Sequence, residues 1–152
     1  MKIEEAIEQK LTGPKFTFPI ERGKVREFAR AVGVTDAEYL DDLRAPVPAT
    51  FLTTAGFFWG YTIEEPGESV FKDIEIDRQL LLHAGEEVEF FGEPPRIGDM
   101  LTGQSMIQDG YEKISSTSGR LQFIVMQTDY NTDTGRLVAR QRTTLVNVER
   151  TA

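Results

Sequence analysis

The chain carries a single histidine, His83, within "LLHAGEEVEF", and no cysteine. Near neutral pH imidazole is the side chain best suited to both taking and giving a proton, so acid–base chemistry here falls on His83 together with carboxylates. The lack of cysteine removes disulfides, zinc–thiolate sites and thiol nucleophiles together. Two roles are open to His83. It could handle protons, or it could donate a hydrogen bond to a nearby loop or carboxylate and fix the entry to a strand. Other chemistries find little support. No Gly-rich phosphate loop follows a strand, no His/Cys cluster suggests a metal site, and one histidine cannot supply several catalytic sets. The acidic turn "NTDTG", residues 131–135, is too short for a calcium loop.

The bulk composition limits the partners. With 25 acidic and 17 basic residues the formal charge is -8, a field that repels polyanions, so nucleic acid is not an expected partner. Hydrophobic residues at 39% and charged residues at 28% fit a folded protein, and 152 residues fit one domain, taken as 1–152. The start, "MKIEEAIEQK", lacks the apolar run of a signal peptide. Thr53 and Thr54 interrupt the longest apolar stretch, which is well short of a bilayer span. No membrane segment and a cytoplasmic location are the expectations.

The elements that would position these residues change character near residue 80. Val25, Phe28, Ala29 and Val32 fall at i, i+3, i+4 and i+7 and predict an amphipathic helix that Gly33 stops. Thr35 and Glu38 have capping-box spacing, which predicts a second helix of about two turns in "TDAEYLDDL". "PVPATFLTTAGFFWG", residues 46–60, predicts a buried helix with Pro48 in its first turn. Beyond it, "EEVEFF", "MLTGQSMIQ", "GRLQFIVMQTDY" and "RLVARQRTTLVNV" read as four strands, with "DGYEKISSTSG" able to hold more strand and Gly135 placed for a hairpin turn. Short polar connections predict an antiparallel meander, and the whole reads as an α+β fold with helices first and a curling sheet around a buried helix.

The succession "GKVREFARAVG", "TDAEYLDD", "APVPATF" and "LLHAGEEVEFFGEPPRIGDML" resembles the N-terminal MaoC-like dehydratase domain of the hotdog superfamily, over roughly residues 20–150. The resemblance implies a bent antiparallel sheet wrapped around a central helix. It also implies an acyl thioester of coenzyme A or acyl carrier protein as substrate, with no separate cofactor and no metal. The MaoC-like branch adds or removes water across the C2–C3 bond of an enoyl thioester. That reaction needs a base for water, an acid for C2 and donors for the developing enolate oxygen.

In catalytic members an Asp, and a His five positions after it, handle the protons. Here Asp36 fills the first position, Asp41 stands where the histidine belongs, and the usual Asn-Pro between them is missing. A carboxyl group, with an ordinary pKa of about 4, holds no proton to deliver near pH 7 unless strongly buried. No catalytic residue is therefore expected in this chain, with Asp36 and His83 as the fallback pair. The interrupted central helix resembles the half of two-part dehydratases that forms the acyl tunnel. Its candidate substrate contacts are Pro48, Thr50, Phe51, Leu52, Phe57, Phe58 and Trp59, residues that could equally be plain core. Arg96, Arg140 and Arg142 could meet thioester phosphates or an acidic carrier, or could form a solvated face neutralised by Glu and Asp.

Two functions remain open. One is a noncatalytic, tunnel-forming subunit of an enoyl-CoA or enoyl-carrier-protein hydratase, paired with a catalytic MaoC-like chain. The other is a self-sufficient homodimeric hydratase or acyl-CoA thioesterase using Asp36 and His83. Either way a dimer is expected, since the sheet has open edges.

Overall fold

The computed structural model describes residues 1–56, 69–76, 80–117 and 119–149. Its elements in chain order are helix α1 (Ile3–Glu8), strand β1 (Thr12–Pro19), helices α2 (Arg22–Ala31) and α3 (Ala37–Asp41), a 3-10 turn (Phe51–Thr53), and strands β2 (Leu81–Phe90), β3 (Met100–Ser115), β4 (Gly119–Thr132) and β5 (Leu137–Glu149). All neighbouring strands run antiparallel, in the order β1-β3-β4-β5-β2.

The expected four strands form, and β3 does extend through "DGYEKIS". Two features depart from the sequence reading. The meander holds for β3, β4 and β5 alone, because β2 lies beyond β5 rather than beside β3. A fifth strand, β1, comes from the N-terminal region, to which the sequence reading assigned no element, and α1 precedes it. Pro14, Pro19 and Lys15 obscure β1 in the sequence, yet these residues are tolerated because β1 is an edge strand paired on one side only. The alternation of Phe16 and Phe18 was the available signal.

Helix α2 ends where expected. Gly33 adopts φ 79, and the Val34 amide bonds the Ala29 carbonyl at 2.9 Å, an ending that a left-handed glycine permits. Helix α3 is shorter than expected, with Asp36 rather than Thr35 at its N-cap and no side-chain capping bond. In the 46–60 segment, the helical geometry starts at Phe51 rather than Pro48. The Thr53 and Thr54 hydroxyls donate back to the carbonyls of Thr50 and Phe51, which supports a tight turn there. Residues 57–60 of that predicted helix lie outside the described residues.

One face of the sheet carries the core, in two clusters. The larger gathers Phe18, Val25, Phe51, Leu52, Leu101 and Tyr130, and joins α2 and the 45–55 segment to the sheet. The second gathers Ile3, Ala6, Val70, Ile107, Ile124 and Met126 beneath α1. Within the larger cluster Phe51 stacks on Phe18 at 5.9 Å and meets Phe28 edge-on at 5.6 Å. Gly103 leaves room for the Phe16 ring, which a Cβ there would strike. A register shift between Ile107 and Asp109 bends β3, consistent with a sheet that curls over its core.

The Tyr130 side chain is buried to 1% exposure, and its hydroxyl lies 3.2 Å from the Leu52 carbonyl and 2.7 Å from Gln141 Oε1. Tyr130→Phe is expected to lower stability by about 1–2 kcal/mol, and Ile124→Ala by roughly 2–5 kcal/mol. Urea unfolding followed by circular dichroism measures both; an unchanged midpoint for Tyr130→Phe would show that the hydroxyl does not tie the segment to the sheet.

Candidate functional site

Asp36 and Asp41 sit at the two ends of α3, a five-residue helix with no buried residue, and both are exposed. Asp36 accepts the Tyr39 amide through its backbone carbonyl at 3.1 Å, the bond that starts the helix. No hydrogen bond or ion pair joins Asp36 to His83. Folding instead brings His83 to Glu86, with Nε2 at 2.9 Å from Oε2. The fallback pair is therefore not assembled within the chain.

His83 lies on β2 opposite Leu145, and its side chain is 56% exposed, whereas that of Glu86 is 13% exposed. The Thr143 hydroxyl donates to Glu86 Oε2 at 3.1 Å. Glu86 was not singled out from sequence. Its three-residue distance from His83 would put the two on opposite faces of a regular strand, and the bulge that changes this leaves no clear mark in the sequence.

The residues expected to wall an acyl tunnel divide. Pro48, Phe51 and Leu52 are buried and Thr50 is exposed, while Phe57, Phe58 and Trp59 lie outside the described residues. Phe51 and Leu52 both belong to the larger core cluster.

Each of the three arginines has a carboxylate beside it. Arg140 grips Asp129 with two bonds, of 2.7 and 2.8 Å, and lies over the Phe91 ring at 5.8 Å. Donating hydrogen bonds to Asp129 raises the Arg140 pKa above the ordinary guanidinium value, against a smaller opposing effect of burial. Arg142 pairs with Glu87 and lies 3.7 Å from Glu89. Arg96 reaches Glu93 at 3.3 Å and the Arg44 carbonyl at 3.2 Å, and its amide donates to Asp99, which closes the turn. A phosphate approaching these cations would compete with carboxylates already in place.

Among the described residues no group of three or more His, Cys, Asp or Glu side chains could hold a metal ion, and no helix is long and apolar enough to cross a membrane.

A five-stranded antiparallel sheet in the order β1-β3-β4-β5-β2, curled over an apolar segment, is the hotdog fold of MaoC-like dehydratases. The chain belongs to the FAS1-like dehydratase domain family, whose pattern it matches over residues 9–141. It is 31% identical over 149 residues to a "UPF0336 protein" from Streptomyces griseus, covering 93% of this chain and 95% of that one. Among solved structures it is similar to a chain of the HadBC (3R-hydroxyacyl-ACP dehydratase) complex from Mycobacterium tuberculosis, with a TM-score of 0.67, 21% identity, and 90% and 97% of the two chains covered. It is also similar to a chain of the ChsH1-ChsH2 complex from the same organism, with a TM-score of 0.67, 13% identity, and 99% and 93% covered. The family supports a hydratase type of function, of the hydro-lyase kind.

His83→Ala is expected to lower the unfolding free energy by less than about 1 kcal/mol, since its imidazole is more than half exposed. Asp129→Ala, which frees a doubly bonded arginine, is expected to cost more. Chemical denaturation of the two variants side by side would reverse this order if His83 were mainly a structural residue.

Proposed function

We propose that this chain is the noncatalytic, acyl-binding subunit of an enoyl-thioester hydratase, acting in either direction on a 3-hydroxyacyl or enoyl thioester of coenzyme A or acyl carrier protein. The observation that carries the reading is the state of α3. Asp36 and Asp41 are both exposed, the resemblance would put a histidine where Asp41 stands, and His83 meets Glu86 instead of either. A carboxylate pair with no proton donor beside it cannot both activate water and protonate C2.

The remaining features fit a supporting role. Pro48, Thr50, Phe51 and Leu52, with Phe57, Phe58 and Trp59, would form the wall of an acyl tunnel. Arg96, Arg140 and Arg142 would exchange some of their carboxylate contacts for thioester phosphates or an acidic carrier. The proton chemistry would come from a second MaoC-like chain bearing the Asp and His. Two of the similar structures are complexes by name, HadBC and ChsH1-ChsH2, which supports pairing with a partner subunit. The reading also places the protein in the cytoplasm, where coenzyme A and carrier-protein thioesters are used.

Purified alone, the chain is expected to leave the conjugated absorbance of short and long enoyl-CoA substrates unchanged, and to accelerate its loss only with a companion chain carrying the Asp and His. Turnover by the chain alone, as a homodimer, would overturn this reading in favour of a self-sufficient enzyme.

A further inference from the structure

Strand β3 exchanges its faces at its bulge. Up to Ile107 the odd-numbered residues point to the core, as Leu101 and Ile107 do at 1% and 0% exposure. The register shift between Ile107 and Asp109 sets Gln108 out of the ladder, so beyond it the odd-numbered residues point outward. Gly110 marks the exchange: it pairs with the buried Ile124, and a Cβ on it would strike Ile7 of α1. Asp109, Tyr111 and Lys113 therefore stand in one line on the outer face, and all three are exposed.

Around that line the outer face is apolar. Tyr111 pairs with Phe123, Phe123 with Val146 and Val146 with Leu82, which makes one row across four strands. Leu121 and Val148 continue the next row beside Lys113. Tyr111 is 44% exposed and Leu82 56%. Tyr111 stacks on Phe123 with ring centres 4.7 Å apart and 9° between the planes, and the Lys113 ammonium lies 5.5 Å from both centres. Farther along this face the charges are dense and paired, Arg140 with Asp129 and Arg142 with Glu87. The three rows that start at Asp109, Tyr111 and Lys113 hold, among the described residues, those two charges alone, one of each sign. The patch lies on the side of the sheet away from both core clusters, and contiguous exposed apolar surface rich in aromatic rings marks a contact with another molecule.

We propose that a second copy of this chain docks on the patch, outer face to outer face. The occupant follows from the charges. Asp109, Tyr111 and Lys113 alternate along β3, so acid and base stand about 7 Å to either side of the aromatic ring. A two-fold axis that crosses the strands at Tyr111 reverses the direction of β3 in the second copy. It sets the two Tyr111 rings together and Asp109 of each copy against Lys113 of the other, the self-complementary pattern of an isologous interface. Sheets packed face to face lie about 10 Å apart with strands within about 30° of each other, so at these positions the two strands diverge by about 3–4 Å, a gap a lysine spans. An axis along the strands would instead set like charge on like. With a formal charge of -8 two copies repel as wholes, and this patch gives them an approach whose own charges cancel. The contact uses neither sheet edge, so it is independent of the pairing with a catalytic chain and compatible with it.

Sedimentation equilibrium of the full chain over a concentration series tests the contact. The wild type is expected at twice the monomer mass. Lys113→Asp and Asp109→Lys should each weaken self-association on the order of 10-fold or more, because each sets two pairs of like charges across the axis. Mixing the two variants should restore it, since the acidic line of one then meets the basic line of the other. Melts by circular dichroism would verify that both variants fold. If the chain also pairs at a sheet edge, the same substitutions halve the mass of a tetramer, which supports the contact equally. A wild type that stays monomeric, an assembly that neither substitution weakens, or a mixture that associates no better than the separate variants would overturn the proposal.

Discussion

A phenol buried to 1% exposure cannot leave its hydroxyl unpaired without a cost of roughly 1–3 kcal/mol. Much of this molecule is arranged around how Tyr130 avoids that cost. Its ring packs with Phe16 and Phe18 from β1, and its hydroxyl reaches the Leu52 carbonyl and the Gln141 side chain. One residue on β4 therefore ties the edge strand, the apolar segment around Phe51 and the neighbouring strand β5 together. The bond to Gln141 also begins a polar series that passes through Thr143 to Glu86 on β2.

Strand alternation separates two environments. On the core face the rows run Gly103, Tyr130, Ala139 and Phe90, then Ser105, Thr128, Gln141 and Val88, then Ile107, Met126, Thr143 and Glu86. Polar residues in the second and third rows lie between two apolar clusters, and they bond one another: Ser105 to Thr128 at 2.8 Å, and Gln141 to Thr143. The opposite face holds the charged residues, where Arg140 meets Asp129 and Arg142 meets Glu87. The arginines are thus spent on local pairing, which offsets part of the acidic surplus on the sheet itself. Glu86 is the exception among the β2 glutamates, since it points to the core face while Glu87 and Glu89 face the arginines.

Membership of the FAS1-like dehydratase family explains the fold and the kind of chemistry, and it also sharpens the meaning of α3. On the function proposed above, this short exposed helix with a carboxylate at each end would hold the position of the catalytic segment without its imidazole. The histidine that the chain does possess is held on the sheet, beside a carboxylate provided by its own strand.

Much of the architecture was legible from local pattern. The period of Val25, Phe28 and Ala29 marked α2, the glycine at 33 marked its end, alternation and β-branching marked the four later strands, and Gly135, with φ 84, marked the hairpin. The absence of cysteine and the presence of a single histidine bounded the chemistry before any fold was known. Strand order, the use of Thr12–Pro19 as an edge and the pairing of His83 with Glu86 were decided only in three dimensions. These depend on which distant segments share hydrogen bonds and on a single bulged residue, and neither is encoded in the nearest-neighbour preferences that make helices and strands readable. Sequence by itself determined which chemical groups this protein has and which local elements carry them; tertiary structure decided which of those groups meet, because a one-residue change of register exchanges the face on which a side chain lies.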